Sequence, residues 1–567
     1  MALTPQVVTA SLFLIIVAAP LLTLLLSTLL LWRYRRTVTR TMAAPGEFHA
    51  QGAAPPPSVG WPPDRPPLGG DHTGSDLYRL VRRAPWYHAI QYAGAGLAFA
   101  LVFALAARFV YPLRLDAPGF LIGVWIYAWP VVLALPLVVP GSMRWRVVGV
   151  VIYFALLLLL GLWAASIADI PEYRVGGIAL DARSSMTPWG MMRLWLAVDG
   201  WPTLLIVLCW NRWVRAVAPL MLALVTTAIS GTWIAYVALF SKRGVDTVVA
   251  LSVSLKTPVY WFVLATVVVS LAGFGAMGWG LARWIARAYR RRKSSDQSLA
   301  LDALWLLFAS SYTMWLVLGG LGWAATAPVA LLAYKLVLGA ERRIMRLPSN
   351  VTHGLTFLRV FSLGRRSDAL LDAVARHWRH LGSVQMITGP DVALSTVQPH
   401  QFLDFLSGKL TRHFVRDRAS LERSLAERDR GPDPDGRFRI NNFFCHADSW
   451  QAALPRLVEE GDVILMDLRT FAAANSGCIH ELQYLTQQVP FERCLLIVDG
   501  TTDEAFLART LTDAWAQLPP GSPNEKRSPD DAPVQRFESG HLAWQRLLRR
   551  LCDAGASGAR DSVALTR

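Results

Sequence analysis

The chain has 567 residues, of which 53% are hydrophobic and only 17% charged, against about 25% charged in a typical soluble domain. With 23 Trp, a residue that favours membrane–water interfaces, this composition excludes a purely soluble enzyme, a disordered scaffold and a disulfide-stapled secreted protein. The net charge of +16 leaves nucleic acid open as a partner until its placement along the chain is known.

The first apolar run, 7–32, has no Lys or Arg before it and Arg33, Arg35 and Arg36 behind it. A signal peptide has the opposite charge order and a shorter apolar stretch. The run therefore reads as a permanent span with its N-terminus outside. Residues 41–75 are rich in Pro, Gly and Ala and lack an apolar period, the composition of an extended linker.

Eight more apolar segments follow, near 87–110, 119–139, 147–167, 194–211, 216–240, 258–282, 300–318 and 321–339. A span needs about 20 apolar residues, so the expected count is nine, with seven or eight as alternatives. With the N-terminus outside, the inner loops hold twenty-one Lys and Arg and the outer loops, with Arg108 at the end of the second span, eight. That asymmetry fits the positive-inside rule and puts everything after about residue 340 in the cytoplasm. It also accounts for much of the net charge, so ARAYRRRK (286–293) reads as a topology determinant facing anionic lipid, and no nucleic-acid partner is expected.

Few ionisable groups lie inside the spans. Asp199 is the clearest, and an intramembrane acid is a functional candidate by default; Gly200 and Pro202 beside it also permit a simple kink. Asp302 and Lys335 lie near predicted inner ends, where long side chains reach the interface. The five cysteines, Cys209, Cys445, Cys478, Cys494 and Cys552, form no metal-ligand spacing and read as reduced thiols in a cytosolic setting; no metal site is expected.

After residue 353 the pattern changes to strand–helix alternation. LTFLRVF (355–361), SVQMITG (383–389), FRINNFFC (438–445), DVILMDL (462–468) and CLLIVDG (494–500) read as five strands. Helices are predicted over 368–382, 449–461, 475–489, 503–518 and 541–555, with further helical segments between the second and third strands and a polar loop at 519–533. Such alternation implies a mainly parallel sheet covered on both faces. Ligands in these sheets sit outside the carboxyl ends of the strands. Those ends carry Ser362 with Arg365 and Arg366, then Asp391, His446 with Asp448, Asp467 with Arg469, and Asp499. No GxGxxG follows the first strand and no Walker lysine loop occurs, which argues against a dinucleotide or P-loop site of the usual kind. Asp467 and Arg469, two apart, suggest an ion pair.

DVILMDLRT is similar to the phospho-acceptor strand of response-regulator receivers, but the first strand lacks the acidic pair that follows it there and the fifth lacks the Lys-Pro. The segment DVILMDLRTFAAANSGCIHELQYL resembles the TIR family, in which a serine and a cysteine precede a glutamate-leucine pair on the helix after a central strand. Ser476, Cys478 and Glu481 match those positions, and LRVFSLGRRSD resembles the family's opening strand and loop. The resemblance covers roughly 355–516. It implies a flavodoxin-like α/β fold, self-association and, in the NAD-cleaving members, catalysis by the residue matching Glu481. Cleavage of the nicotinamide–ribose bond passes through an oxocarbenium-like state that a carboxylate stabilises. Gly477 stands where the family has an aromatic, and about 50 extra residues separate the second and third strands. The alternative for Glu481 is a surface glutamate pairing with His480 or an arginine.

The expected organisation is a first span with a basic flank (1–40), a linker (41–80), a transmembrane domain (81–346), a TIR-like α/β domain with a mainly parallel five-stranded sheet (347–518), and a loop, helix and tail (519–567). The expected role is that of a signalling or defence-type protein of the inner (plasma) membrane, acting by self-association as a homo-oligomer, with a nucleotide, NAD among them, as the candidate ligand. Two alternatives are a TIR-type NAD glycohydrolase and a transporter or channel regulated by the α/β domain.

Overall fold

A computed structural model of the chain describes residues 4–44, 73–111, 117–139, 143–167, 173–175, 178–180, 187–209, 217–345, 353–360, 365–388, 397–446, 449–538 and 540–564. The expected linker falls mostly outside them. Contacts divide the chain into one unit of Met1–Leu31, Trp86–Met345 and Gln398–Leu403, and a second of Trp32–Pro85, Arg346–Val397 and Asp404–Arg567.

Among the described residues nine helical segments are long and apolar enough to cross a membrane, as a multi-pass membrane protein requires. In chain order the helices are α1 (Pro5–Ala43), α2 (Gly74–Val110), α3 (Ala117–Tyr127), α4 (Trp129–Val138), α5 (Met143–Ile167), α6 (Pro188–Trp195), α7 (Trp201–Cys209), α8 (Ala218–Leu239), α9 (Lys242–Leu255), α10 (Val259–Arg290), α11 (Asp296–Leu316) and α12 (Thr326–Ile344). The third span is broken at Ala128 into α3 and α4, with Pro130 in the first turn of α4, where a missing N–H costs no helical bond. The fifth joins α6 to α7 through a π-helical turn, Leu196–Gly200. Gly320, at φ 144°, makes the turn between the last two spans, a conformation that L side chains rarely adopt. A short antiparallel hairpin, β1 (Tyr173–Val175) and β2 (Ile178–Leu180), lies between the fourth and fifth spans.

The core of this unit centres on α11, whose Leu301, Trp305, Phe308 and Tyr312 pack against Phe99 and Phe103 of α2 and Tyr127 of α3. By contrast α10 turns Val268, Val269, Leu271, Met277 and Trp284 outward, the signature of a helix solvated by hydrocarbon. The loop expected after the sixth span contains α9, capped by the Ser241 hydroxyl, which accepts from the Gly244 N–H.

The second unit holds a sheet of seven strands, not five. They are β3 (Leu355–Arg359), β4 (Val384–Thr388), β5 (Phe414–Val415), β6 (Ile440–Cys445), β7 (Val463–Asp467), β8 (Cys494–Val498) and β9 (Val534–Arg536), in the order β5-β6-β4-β3-β7-β8-β9. Every pairing is parallel. The two added strands are the edges. They have two and three residues, too few to display a period, and exist through main-chain pairing with β6 and β8. The five strands expected from sequence read 3-2-1-4-5 across the sheet. The 2-1-3-4-5 order of flavodoxin-like sheets is found in β4-β3-β7-β8-β9, with β6 and β5 as an extension beyond β4.

β3, β4, β7 and β8 are buried along their whole lengths, which explains their continuous apolar sequences. The remaining helices are α13 (Arg365–Trp378), α14 (Pro399–Leu406), α15 (Arg418–Ala426), α16 (Trp450–Glu460), α17 (Ser476–Gln488), α18 (Glu504–Ala516) and α19 (His541–Ala564). α13 and α19 cover one face through Leu371, Val374, Trp378, Leu547 and Leu551, joined there by Leu77, Tyr78 and Val81 from the first turns of α2. α16, α17 and α18 cover the other through Leu454, Val458, Leu482, Leu485, Leu507 and Leu511.

Candidate functional site

From β3 the chain winds outward through β4 to β6, then returns to β7 on the other side. The winding reverses between β3 and β7, which makes the carboxyl ends of these two strands the place where such sheets bind ligands. In register the last residues of the two strands, Arg359 and Asp467, are partners. Both are buried.

Arg469 grips Asp467 through two bonds: Nε donates to Oδ1 and Nη2 to Oδ2, each at 2.7 Å. The same Nη2 donates to the Arg366 carbonyl at 3.1 Å. The next residue, Thr470, has φ 63°, an outlier for a β-branched side chain that persists only where the surroundings impose it. Arg366, in the first turn of α13, pairs with Asp499 after β8. Burial would raise the Asp499 carboxyl, but hydrogen bonds from the Thr501 hydroxyl and N–H and the Arg366 charge hold it below its ordinary value.

Glu481 sits in the second turn of α17 and is 1% exposed, so it is not the surface glutamate that was the sequence alternative. Its Oε2 has no hydrogen-bond partner among the described residues. Burial pushes its carboxyl up to about 8, opposed only in part by the Arg359 guanidinium beside it. Cys478, one turn earlier and also buried, directs its Sγ at the Arg359 carbonyl at 3.5 Å. Ser476 is exposed at the start of the helix. The ring of Trp450, from α16, stands 3.7 Å from where a Cβ on Gly477 would be.

Of the sequence-predicted rim, Arg366, Asp467 and Asp499 come together here. His446 follows β6, two strands away from β3; it is buried, with Nδ1 3.1 Å from the Ala44 carbonyl oxygen. Ser362, Asp391 and Asp448 lie outside the described residues, and Arg365 is described only as the first residue of α13. Sequence reasoning missed Arg359, whose signal was a lone charge inside an apolar strand, and Thr501. At neutral pH the cluster presents the guanidinium groups of Arg359, Arg366 and Arg469 against the carboxylates of Asp467 and Asp499, with Glu481 largely protonated. Asp368, a further buried acid, lies in the first turn of α13, and the cluster adjoins the N-terminal ends of α13 and α17, which favour anions. Among the described residues no three His, Cys, Asp or Glu side chains come together as metal ligands.

In the other unit Asp199 lies in the π-helical turn of the fifth span and is fully buried. Tyr312 donates its hydroxyl to Asp199 Oδ1 at 2.5 Å, while Oδ2 has no partner among the described residues. The Asp199 carbonyl accepts from Thr203, whose hydroxyl oxygen accepts in turn from the Trp129 indole at 2.7 Å. Asp302 and Lys335 pair with each other at 2.6 Å.

No protein-family model matches the chain, and no curated protein or solved structure matches it.

Proposed function

We propose that this chain is a multi-pass membrane protein of the signalling or defence type, with a cytoplasmic TIR-like α/β domain that binds an anionic, nucleotide-class ligand and acts by self-association. The observation that carries this reading is the arginine cluster at the switch point of the sheet, Arg359, Arg366 and Arg469 with Asp467 and Asp499. Arginine recognises phosphate through paired donors, and Arg366 is the member with about half its side chain exposed. The cytoplasmic placement rests on the asymmetry of basic residues between alternate loops.

The test is equilibrium binding of labelled NAD and ATP to the full-length protein in nanodiscs, with Arg366→Ala beside it. A charge-assisted hydrogen bond contributes about 1.5–3 kcal/mol, so the substitution weakens binding roughly tenfold or more. Equal binding by both proteins, or none by either, rejects the reading. A fusion reporter at the C-terminus checks the orientation: a fluorescent protein that matures only in the cytoplasm lights up, and alkaline phosphatase stays inactive.

A second reading, NAD glycohydrolysis, is favoured by Glu481. A buried carboxyl raised to about 8 beside an arginine is the kind of perturbed group that gathers at catalytic sites. In this reading the carboxyl becomes accessible when substrate opens the α17 end of the crevice, and as carboxylate it stabilises the charge that develops on the ribose. Nicotinamide release by the full-length protein, abolished by Glu481→Gln with folding intact, is the expected result. Release that survives the substitution removes Glu481 from the chemistry.

A further inference from the structure

α8 and α10 form a tight pair. A Cβ on Gly231 would fall 2.0 Å from the Phe274 ring, and one on Gly278 would meet the Leu224 backbone. Between α8, α1 and α11, in contrast, a cavity of about 610 Å³ remains. Among the described residues no charged side chain lines it, and three of its hydroxyls, Ser11, Ser241 and Ser310, already donate to carbonyls one turn back in the chain. The cavity opens on the surface of the helices, where its lining residues Ile234 and Leu306 are exposed. A gap of this size between membrane-spanning helices is a place for hydrocarbon.

We propose that this cavity is a binding site for one acyl chain of an anionic glycerophospholipid. The cavity follows α1 from Val8 to Pro20, twelve residues or roughly 18 Å along a helix, close to the depth of one leaflet, about 15 Å. Its outer end is at Val8 and Ser241. Directly after Ser241 come Lys242 and Arg243, both exposed in the first turn of α9. Asp246 lies one turn on, which leaves a net positive charge at a helix N-terminus, where a phosphodiester is favoured. The occupant therefore lies in the leaflet that holds the N-terminus of α1, with its chain along α1 and its phosphate at Lys242 and Arg243.

Native mass spectrometry of the full-length protein, supplied with dioleoylphosphatidylglycerol and dioleoylphosphatidylcholine in equal amounts, tests the site. The expected result is one retained phosphatidylglycerol per chain. Ser230→Phe, which fills the cavity, lowers that retention at least tenfold. The double variant Lys242→Gln, Arg243→Gln weakens phosphatidylglycerol by about fivefold per residue and leaves phosphatidylcholine unchanged. Equal retention of the two lipids, or phosphatidylglycerol retention that the double variant does not lower, means annular lipid only and overturns the proposal. The double variant decides even if Ser230→Phe fails to fold, because its side chains lie outside the helix packing.

Discussion

Tyr312 of α11 donates its hydroxyl to Asp199, 2.5 Å away in the π-helical turn of the fifth span. Among the described residues that carboxyl makes this one hydrogen bond, and α11 is the central helix of its unit, so the pair ties an irregular turn to the bundle core. Tyr312→Phe leaves a fully buried acid unsatisfied and is expected to cost about 1–3 kcal/mol. Asp199→Asn keeps an acceptor for the hydroxyl and costs less. In the Asp199→Leu, Tyr312→Phe double variant neither orphan remains, so its loss falls below the sum of the single losses. Thermal unfolding in detergent measures all of these; additive losses would mean that the pair is uncoupled.

Glu481 makes the stability of the α/β domain depend on pH in a defined direction. Its carboxyl is raised from 4.5 to about 8 in the folded chain, so the folded state binds the proton more tightly than the unfolded state. The contribution is fully present below about pH 4.5 and is lost progressively as pH rises to about 8, on the order of a few kcal/mol in total. Glu481→Gln, neutral at every pH, removes this slope and is the more stable protein at pH 8–9. Urea unfolding between pH 5 and 9 checks it. An unchanged slope in the variant would assign the pH dependence to another group.

The nine apolar segments were legible because a span is long and its signal cumulative. So were the five central strands, four of which have apolar runs that reflect burial on both faces. The edge strands β5 and β9 were not, since main-chain pairing alone holds two or three residues extended. At the site, Arg366, Asp467 and Asp499 could be placed from the rule that ligands gather at strand ends. Arg359 could not: a charge in a buried strand makes sense only once β7 and α17 supply Asp467 and Glu481 beside it. The same holds for Asp199, whose sequence neighbours Gly200 and Pro202 gave no hint of Tyr312, 113 residues away.

The α/β domain takes part of its core from a segment distant in sequence. Leu77, Tyr78 and Val81 are buried with Leu547, Leu551 and Cys552 of α19. Leu77→Ala removes a side chain that is 1% exposed and is expected to cost about 2–5 kcal/mol. Cys552 is a built-in probe, because burial pushes its thiol up to about 12 and keeps it inert. Its labelling by a thiol reagent accelerates in Leu77→Ala and accelerates further in a 348–567 fragment, which lacks all three residues. Labelling as slow as in the intact chain would show that the domain closes without them.

Arg439, at the start of β6, is 1% exposed and holds two acids. It reaches Asp433, which is also buried, at 2.7 Å and Asp429 at 3.0 Å. Asp433 belongs to the turn GPDPDG, where its N–H donates to the Arg437 carbonyl and its own carbonyl accepts from Gly436. The arginine thus anchors the inserted segment that carries the sheet beyond β4. Removing one partner of a buried ion pair strands the other, which costs about 3–5 kcal/mol, whereas replacing the whole cluster by apolar groups need not. Arg439→Met is therefore expected to be strongly destabilising alone and partly rescued by Asp433→Leu. Hydrogen exchange locates the effect: protection falls in β5 and β6, while β7 and β8, held from the other side of the sheet, keep theirs. Uniform loss across all seven strands would instead make the extension an inseparable part of one cooperative sheet.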